Sequence, residues 1–511
     1  MDRPLIPDPV LPAARVLAVA LGVGLAAELL LDGHALGINA PLATAILLVS
    51  ALVVTGGLRR IDPFDAWIPV TALVVASFVA VRDDRPLVLL DVAGALGLAA
   101  ASVPAFAGQS VTRRSTSAIM SLAGRVLAAV ALGAVPLLER VRRDSDPARQ
   151  LAGRGQRAAP VVRGLLLVVP LVLVFAGLFA AADPIFQRWI DTLFPFDIDL
   201  GELPGRIAFT AIAAWLAGGL LWFGWLAAPP LELRSLGAAV SSPPTTLAAA
   251  FRLGVTEALT ILVALDLLFG AFVALQVAYL FGGVDTIAAI GMTYADYARR
   301  GFFELVAVVV LVGGLLLGLE AVVAHRTRLY VAAATTLVVL TTVVLASSWL
   351  RLGLYQDAYG WTELRFYVAA AIAFLAIDLA AAAFLIVRNR AQWLPHAIAT
   401  SSLIVLVGVN VIGPQAFITG RNLERSIVAS VVPEYGDPGL DAGYLGTLDA
   451  DAVPGLVTAL PMLSVEQRAA VEPLIADAHR RFVVEDDDGW QGWNLARWRA
   501  RAALLAWADS R

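Results

Sequence analysis

Acidic side chains inside apolar runs are the residues of this sequence best placed to do chemistry. Asp266 lies near the middle of the apolar run 255–281, and Asp378 lies near the middle of the run 366–387. An acid buried in hydrocarbon is costly and usually has a partner or a function. Two interpretations stay open: each acid joins neighbouring helices through a hydrogen bond, or the two face one cavity and pass protons or bind a cation. Further polar candidates in or near apolar runs are Glu257, Glu304, Glu320 and Asn410.

A second group of candidates combines charged and aromatic residues at the ends of apolar runs. In "TYADYARRGFFELV", Arg299 and Arg300 stand directly against such a run. Glu304 follows Arg300 by four positions, so the two share a helix face and can pair. Arginines at a helix end commonly reach the lipid phosphates and fix the depth of the helix, but this pair can also line an outward-facing site. A membrane-embedded enzyme would need a polar cluster here, and its candidates are Asp183, Arg300, Glu363 and Arg365.

Metal and cofactor chemistry has little support in the sequence. The chain has no cysteine, and its four histidines lie far apart without the spacing of metal ligands. The run "EDDDG" (485–489) lacks ligands at the first and twelfth positions of a calcium-binding loop, so we interpret it as a solvated acidic turn. Nucleotide-binding, serine-hydrolase and zinc-protease motifs are absent. We therefore predict no metal, no cofactor and no catalytic residue, and the sequence does not favour an enzyme.

The composition places the chain among membrane proteins. Hydrophobic residues make up 59% of it and charged residues 15%, whereas soluble domains have roughly 25% charged residues. The apolar residues come in blocks of about twenty, the length at which a helix crosses a hydrocarbon core of ~30 Å. We predict an all-α, polytopic bundle of eleven or twelve spans with a small helical C-terminal region.

Eleven spans follow from these blocks, each bounded to within a few residues: 11–31, 36–58, 66–81, 87–108, 160–182, 206–228, 255–281, 302–323, 329–349, 366–387 and 395–416. The stretch 119–138 is the possible twelfth. It is apolar but contains Arg125, and more arginines follow it. A span and an amphipathic helix lying in the membrane interface both stay open for this stretch.

Arginine bias predicts the orientation. The region 109–163 holds ten arginines, and such an excess in a short loop marks the cytoplasmic side. Counting forward from it places the loops 183–205, 282–301 and 350–365 outside, together with everything after 417. We therefore predict a multi-pass protein of the inner (plasma) membrane with an extracytoplasmic C-terminal region. The expected partners are the lipid bilayer and, at the arginine-rich loop, anionic headgroups. Nucleic acid is not expected, and no protein partner is indicated.

Four regions follow from this interpretation. Residues 1–108 form an N-terminal membrane region, 109–159 an arginine-rich cytoplasmic segment, 160–417 the main membrane domain with seven spans, and 418–511 an acidic C-terminal region. The last region carries 14 acidic residues against 9 arginines. It is long enough for a small helical domain, or it packs on the membrane domain. Its closing helix has Trp493, Trp498, Ala502 and Leu505 near one face.

Several phrases also carry a resemblance to a known family: "AADPIF" (181–186), "LDLLFGAFVALQVAYLFGG" (265–283), "TYADYARRGFFELVAVV" (293–309), "YGWTELRFY" (359–367) and "GRNLERSI" (420–427). In this order they resemble the bacterial integral-membrane family catalogued as domain of unknown function 4173, a relative of 4153. The resemblance runs from about residue 160 to the C-terminus. It implies a multi-span membrane protein without an established activity, and it supplies no catalytic residues.

Two hypotheses for the function follow. In the first, a membrane protein of the cell envelope moves a small solute or senses the state of the envelope through its outer face, and the acids within the spans are essential for transport. In the second, the chain is a non-catalytic scaffold or signalling subunit that binds a partner through its C-terminal region or basic loop.

Overall fold

The computed structural model describes residues 11–56, 61–112, 116–144, 203–225, 255–281, 302–323, 326–428, 439–485 and 489–510. Over these residues the chain is helical and has no β-strand, which confirms the predicted all-α class. Contacts divide the chain into two compact units. The first comprises Met1–Val81, Val88–Pro229 and Asp487–Asn494, and the second comprises Arg82–Leu87, Pro230–Asp486 and Leu495–Arg511. The region boundaries predicted at 108, 159 and 417 stay predictions.

The first unit is built around two helices that pack along each other. Its α-helices are α1 (Ala13–Leu31), α2 (Asn39–Thr55), α3 (Trp67–Phe78), most of α4 (Arg85–Phe106), α5 (Thr116–Leu132), α6 (Val135–Asp144) and α7 (Leu203–Trp225). α1 lies against α7, and a Cβ at Gly24 would come within 2.6 Å of the Ala214 side chain, so only glycine permits this approach. The buried Glu28 of α1 pairs with Arg206 of α7.

A sharp bend separates α5 from α6. Gly133 lies between them with a φ of +57°, a left-handed conformation that side chains other than glycine's disfavour. The two helices meet at 66°, and Trp215 packs where a Cβ of Gly133 would lie. The stretch 119–138 is therefore a broken helix, which accounts for its mixed sequence signal. A broken span and a helix pair in the interface both remain compatible with it.

The membrane helices of the second unit pack around one long helix. They are α8 (Val255–Phe281), α9 (Phe302–Val322), α10 (Arg328–Tyr359), α11 (Glu363–Val387), a 3-10 turn (Ala391–Trp393) and α12 (Leu394–Ile412). α10 contacts α8, α9 and α11, and α12 contacts α11. Apolar side chains from these helices form one core, with Tyr330, Leu337 and Leu352 of α10 fully buried in it.

The C-terminal region packs on the ends of these helices. Its helices in the second unit are α13 (Pro414–Ile427), α14 (Ala442–Leu445), α15 (Val453–Ala459), α16 (Val465–His479) and α17 (Leu495–Asp509), with 3-10 turns at Ala450–Ala452 and Leu460–Met462 and a π-helical turn at Arg480–Val484. A further 3-10 turn, Trp490–Gly492, belongs to the first unit. Its buried residues form one hydrophobic cluster with Leu87, Phe366 and Val409. Within the second unit the C-terminal helices therefore share a core with the ends of the membrane helices.

The predicted number of spans is too high for the described residues. Seven helices are long and apolar enough to cross a membrane, or eight if the bent pair α5–α6 counts as one span. The predicted spans 36–58 and 66–81 correspond to shorter apolar helices, namely Asn39–Thr55 and Trp67–Phe78. The predicted span 302–323 corresponds to α9 (Phe302–Val322), of which the apolar stretch Val308–Leu319 is too short to count among the seven. Twelve residues of helix reach only ~18 Å, so α3 falls short of the hydrocarbon thickness. The predicted span 160–182 lies outside the described residues.

One predicted outer loop is mostly helix. α10 continues through Tyr359, ten residues beyond the predicted end of the span 329–349. The stretch 350–359 contains no proline, and its only glycine is Gly353. The helix ends where Gly360 adopts a φ of +77°, and Thr362 then caps the start of α11 by accepting a hydrogen bond from the Arg365 amide. The connection is a turn of three residues.

Candidate functional site

Four consecutive charges, Arg82-Asp83-Asp84-Arg85, lie at the start of α4 in the second unit. They meet the first turn of α11, the junction between α12 and α13, and the 3-10 turn Ala450–Ala452 of the C-terminal region. We call this group of charged and polar side chains the carboxylate cluster; its acidic members are Asp83, Asp84, Glu363, Asp449 and Asp451.

Arg82 joins the end of α12 to the C-terminal region. Its guanidinium donates to the backbone carbonyls of Asn410 and Val411, the last of these at 3.3 Å, and so satisfies carbonyls that the end of α12 leaves free. Its Nη1 also pairs with Asp451 Oδ1 at 3.2 Å. Gly413 makes room for the guanidinium, because a Cβ there would lie 2.5 Å from Nη1.

Asp83 is held from two sides of the C-terminal region. Its backbone N–H donates to Asp451 Oδ2 at 2.8 Å. Its carboxylate accepts from Arg497 Nη1 of α17 at 3.2 Å, and also from the backbone amide of Ala450. Asp83 thereby connects the start of α4 to two separate elements that follow residue 440.

Asp84 is fully buried and only half satisfied. Its Oδ1 caps α4 by accepting from the Leu87 amide at 3.2 Å, and it also accepts from the Tyr367 hydroxyl at 2.7 Å. Its Oδ2 has no hydrogen-bond partner among the described residues. Asp83 and Asp451 have arginine partners, whereas Asp84 has none of those described. A buried charge without compensation is strongly unfavourable.

A glutamine connects the remaining two carboxylates. Gln415 is buried in the first turn of α13. Its Nε2 donates to Glu363 Oε1 at 2.8 Å and lies 3.4 Å from Asp449 Oδ2, while its Oε1 accepts from the Asp449 amide at 2.8 Å. The Tyr444 hydroxyl accepts from the Glu363 amide at 2.7 Å. The start of α11 is thus bonded to both α13 and α14.

Burial shifts the protonation of this cluster. It raises the pKa of Asp83 to about 6, although Arg497 and the Ala450 amide act in the opposite direction. It also raises the pKa of Asp84 to about 6, against the hydrogen bonds from Tyr367 and the Leu87 amide. The neighbouring carboxylates add to both increases, since a like charge disfavours ionisation. Burial likewise raises the pKa of the Tyr444 hydroxyl to about 12.

A second set of polar contacts fixes the turn between α10 and α11. The buried Arg425 of α13 donates to the carbonyls of Gln356 and Ala358 at the end of α10. Asn422, one turn earlier, accepts from the Trp361 amide at 2.7 Å and donates to the Trp361 carbonyl at 2.8 Å. Arg425 has the same role at the end of α10 that Arg82 has at the end of α12, because each guanidinium donates to backbone carbonyls at the C-terminal end of a long apolar helix.

The acids predicted within the spans occupy separate positions in the second unit. Asp378 of α11 accepts from the Ser401 hydroxyl of α12 at 2.6 Å, the helix-joining contact that was one of the two open interpretations. Asp266 lies on α8 with a buried Oδ1 that lacks a described partner. Glu257 is exposed near the start of α8, and Asn410 is buried in the last turn of α12. A shared cavity for Asp266 and Asp378 stays a prediction.

Of the charged residues predicted as candidates at the outer ends of the spans, the structure describes some and not others. Glu363 belongs to the carboxylate cluster. Arg365, two positions later, turns away to the carbonyls of Tyr359 and Gly360 and lies 4.0 Å from the centre of the Tyr355 ring. Glu304 and Glu320 fall on α9. The remaining candidates, Asp183, Arg299 and Arg300, lie outside the described residues, as does part of the acidic turn 485–489.

Most of the carboxylate cluster was missed by sequence reasoning. The missing members are Arg82, Asp83, Asp84, Tyr367, Gln415, Asp449, Asp451 and Arg497. A signal did exist for the first three, because four adjacent charges between two apolar runs are expensive near a membrane. The others come from positions up to several hundred residues away and have no local pattern. Among the described residues, no group of three or more His, Asp or Glu side chains is placed to hold a metal ion.

Comparison with known protein families gives one match that assigns the chain to a family. Residues 70–459 match the model of a family described as Domain of unknown function (DUF4153). The match covers more than half of the chain, so the chain belongs to this family. The predicted resemblance to family 4173 is not shown, whereas the prediction of a family of unknown function is confirmed. Comparison with curated proteins and with solved structures gives no match.

Proposed function

We propose that this member of the DUF4153 family senses the state of the cell envelope through the carboxylate cluster. Protonation of the cluster would change how firmly the C-terminal region is held on the ends of the membrane helices. The single observation that carries this proposal is the position of Asp84, a fully buried carboxylate where the start of α4 meets α11. Its Oδ2 has no hydrogen-bond partner among the described residues.

The energetics favour a response to acid. Above pH 6 both Asp83 and Asp84 are charged in a buried environment, which weakens the docked arrangement. Protonation removes that cost, because a neutral carboxyl is much cheaper to bury than a carboxylate. Acidification therefore holds the C-terminal region more firmly, and neutral pH loosens it.

The predicted topology is consistent with a sensor of the outer environment. Arginine bias assigns the turn before α11 and the whole C-terminal region to the outer side. Glu363 follows this turn as the first residue of α11, Tyr444 belongs to the C-terminal region, and the Glu363 amide donates to the Tyr444 hydroxyl at 2.7 Å. The contact supports one common side for both segments, and the outer side is our proposal.

Hydrogen exchange of the full chain in lipid nanodiscs tests the proposal. Amide protection of α14 to α17, corrected for the intrinsic pH dependence of exchange, is expected to rise when the pH falls from 7.5 to 5. The Asp84→Asn variant mimics the protonated acid at constant size. We expect it to be better protected than the wild type at pH 7.5 and to keep only the part of the pH response that Asp83 contributes.

A matched control is available within the same region. Asp477 is a half-exposed carboxylate that pairs with Arg480 and Arg481 on its own helical segment. The Asp477→Asn variant is expected to keep the pH response of the wild type. A wild-type protein whose protection does not change between pH 7.5 and 5 would contradict the proposal, as would a full response in Asp84→Asn.

A second candidate function is transport of a small solute or ion. The observation that favours it is the buried Oδ1 of Asp266, which lacks a described partner in the middle of an apolar helix. Transport predicts that Asp266→Asn and Asp378→Asn abolish flux in proteoliposomes while the protein still inserts. Normal flux in both variants would eliminate this function, and loss of flux without any effect of Asp84→Asn would favour it over sensing.

The scaffold hypothesis makes a different prediction. Much of the apolar surface of the C-terminal region is used within the chain, on Leu87, Phe366 and Val409. A partner would therefore bind a face that remains exposed. Deletion of 430–511 would abolish the function of a scaffold while Asp84→Asn leaves it intact, whereas the deletion abolishes and Asp84→Asn weakens the regulation of a sensor.

A further inference from the structure

The closing helix α17 exposes an apolar face. Trp498 is 57% exposed and Leu505 is 44% exposed, and Ala502 lies between them at helical spacing. The opposite face carries Ala496, Ala500 and Leu504, which are buried in the core of the C-terminal region. The sequence had grouped Trp493, Trp498, Ala502 and Leu505 on one face of the closing helix, but Trp493 precedes α17, which begins at Leu495. The other three lie on a face that is exposed among the described residues.

The start of α17 is fixed at the depth where membrane helices end. Arg497 pairs with Asp83 at 3.2 Å, and Asp83 immediately precedes the residue that caps the candidate span α4. Arg82, the other neighbour of Asp83, binds the carbonyls at the end of the candidate span α12. These two contacts place Arg497 at the same depth as the ends of α4 and α12. Trp498, the next residue, therefore lies close to that depth.

The exposed side chains at that end of α12 are apolar. Val411 is 71% exposed and Ile412 is 54% exposed in its last turn, as expected of a helix whose final turn still faces lipid. Arg82 binds the carbonyl of Val411 itself. The boundary between hydrocarbon and headgroups therefore lies close to Arg82, and hence close to Trp498.

The chemistry around Trp498 suits that boundary. Tryptophan is enriched where membranes meet water, because its ring is apolar and its N–H is polar. Arg499 is exposed next to it, and an exposed guanidinium is attracted to the phosphates of anionic lipids. An exposed tryptophan beside exposed arginine is typical of helices that lie in the interface.

We propose that the first two turns of α17 rest on the headgroup layer of the bilayer, with Trp498 inserted among the headgroups and Arg499 on lipid phosphate. The C-terminal region would then have two attachments. One is the internal contact with the ends of the membrane helices, and the other is a lipid contact through a helix that does not span the membrane. This proposal does not depend on the proposed sensing function.

The absence of cysteine allows a direct test. Each single variant, Trp498→Cys, Ala502→Cys and Leu505→Cys, carries one unique site for a nitroxide label. The full chain is reconstituted as single copies in nanodiscs containing phosphatidylglycerol. Power-saturation electron paramagnetic resonance then compares collision with oxygen, which concentrates in the bilayer, and with a water-soluble nickel complex.

The label at position 498 is expected to be shielded from nickel and accessible to oxygen. Val465→Cys is the matched control, because Val465 is 88% exposed on α16 of the same region, and its label is expected to collide freely with nickel. Changing Arg499 to Gln in the Trp498→Cys background is expected to increase the nickel collisions at position 498. The depths at 502 and 505 then give the tilt of α17.

Single-copy nanodiscs contain only this chain and lipid, so shielding at position 498 identifies lipid as the occupant. A label at 498 that is as accessible to nickel as the control at 465 would overturn the proposal and favour a protein partner for this face. Thermal unfolding of each labelled variant verifies that the fold is retained, which is expected because all three positions are exposed.

Discussion

Arg82 and Asp451 lie 369 positions apart in sequence and form an ion pair with 3.2 Å between Nη1 and Oδ1. Their side chains are only 14% and 7% exposed, so water screens the pair weakly. The pair connects the start of a membrane helix to a 3-10 turn of the C-terminal region. Removing one partner from such a pair is expected to be costly, because the other charge stays buried without compensation.

Replacing Asp451 by Asn is the first prediction. The variant keeps the size of the side chain, but Arg82 loses its carboxylate and the Asp83 amide loses a charged acceptor. We expect the free energy of unfolding to fall by roughly 3–5 kcal/mol. Chemical or thermal unfolding of the full chain in a mild detergent measures it.

An exposed ion pair of the same region provides the control. Arg421 and Glu424 pair at 2.9 Å with both side chains about half exposed, and solvent-exposed pairs contribute little to stability. Glu424→Gln is therefore expected to leave unfolding almost unchanged. If Asp451→Asn and Glu424→Gln lowered the free energy of unfolding by the same amount, burial of the pair between Arg82 and Asp451 would have no energetic consequence.

The pH dependence of stability is the second prediction, and its sign follows from Asp83 and Asp84. Both carboxyls have a pKa near 6 in the folded protein, against an ordinary aspartate pKa of 3.8 in an unfolded chain. The folded state therefore binds more protons than the unfolded state between these values, so stability rises as the pH falls from about 6 to about 4. The added stability is fully present below about 4 and is lost as the pH rises through 6.

The size of this effect is on the order of 3 kcal/mol for Asp84, since one pKa unit corresponds to about 1.4 kcal/mol. Unfolding measured at pH 4.5, 5.5, 6.5 and 7.5 gives the profile. The Asp83→Asn, Asp84→Asn double variant is expected to flatten it. In many proteins with ion-paired carboxylates, the free energy of unfolding falls as the pH is lowered. The same behaviour in the wild-type protein would refute the prediction.

The membrane class and the all-α fold were predictable because they depend on local properties. The apolar blocks around Val263, Val338 and Leu375 are each about as long as a bilayer is thick. Almost every residue in such a block is apolar, so the block is recognised from the local sequence alone. Hydrophobicity alone did not give the end of each helix. α10 continues to Tyr359 because a helix ends where the backbone conformation changes, and here that point is Gly360.

The carboxylate cluster shows what local patterns leave out. Its contacts join Arg82 to Asp451, Asp83 to Arg497 and Asp84 to Tyr367, across 283 to 414 positions of sequence. No periodicity encodes such distances. Of the two outer candidates that the structure describes, Glu363 belongs to the cluster and Arg365 does not. Glu363 is connected through Gln415, an uncharged residue without any motif.

Replacing Gly413 by Ala is the third prediction. Gly413 has a φ of +71°, and a Cβ would lie 2.5 Å from Nη1 of Arg82. The left-handed conformation alone disfavours alanine by about 1–2 kcal/mol, and displacement of Arg82 adds to this loss. Gly408 lies five residues earlier, inside α12, with open space around its Cα. Gly408→Ala is expected to be neutral or stabilising, because alanine favours the helix.

A loss of stability in Gly408→Ala as large as that in Gly413→Ala would mean that α12 tolerates no side chain near its end, independent of Arg82. Combining Gly413→Ala with Arg82→Ala distinguishes the two causes. If the close approach to Arg82 is responsible, Gly413→Ala causes a smaller loss of stability in the Arg82→Ala background than in the wild type. The losses of the two single variants are then not additive.

The fourth prediction concerns Asn422, which accepts from the Trp361 amide at 2.7 Å and donates to the Trp361 carbonyl at 2.8 Å. Asn422→Ala leaves both backbone groups of a partly buried turn without partners, which costs about 1–3 kcal/mol for each unsatisfied group. We expect faster hydrogen exchange at the Trp361 amide and a loss of stability.

Arg421→Ala, on the preceding and exposed residue, is the control and should leave this amide protected. Unchanged exchange at Trp361 in Asn422→Ala would mean that the turn is held by the edge-on contact of Trp361 with Phe417, whose ring centres are 4.9 Å apart, and not by the asparagine.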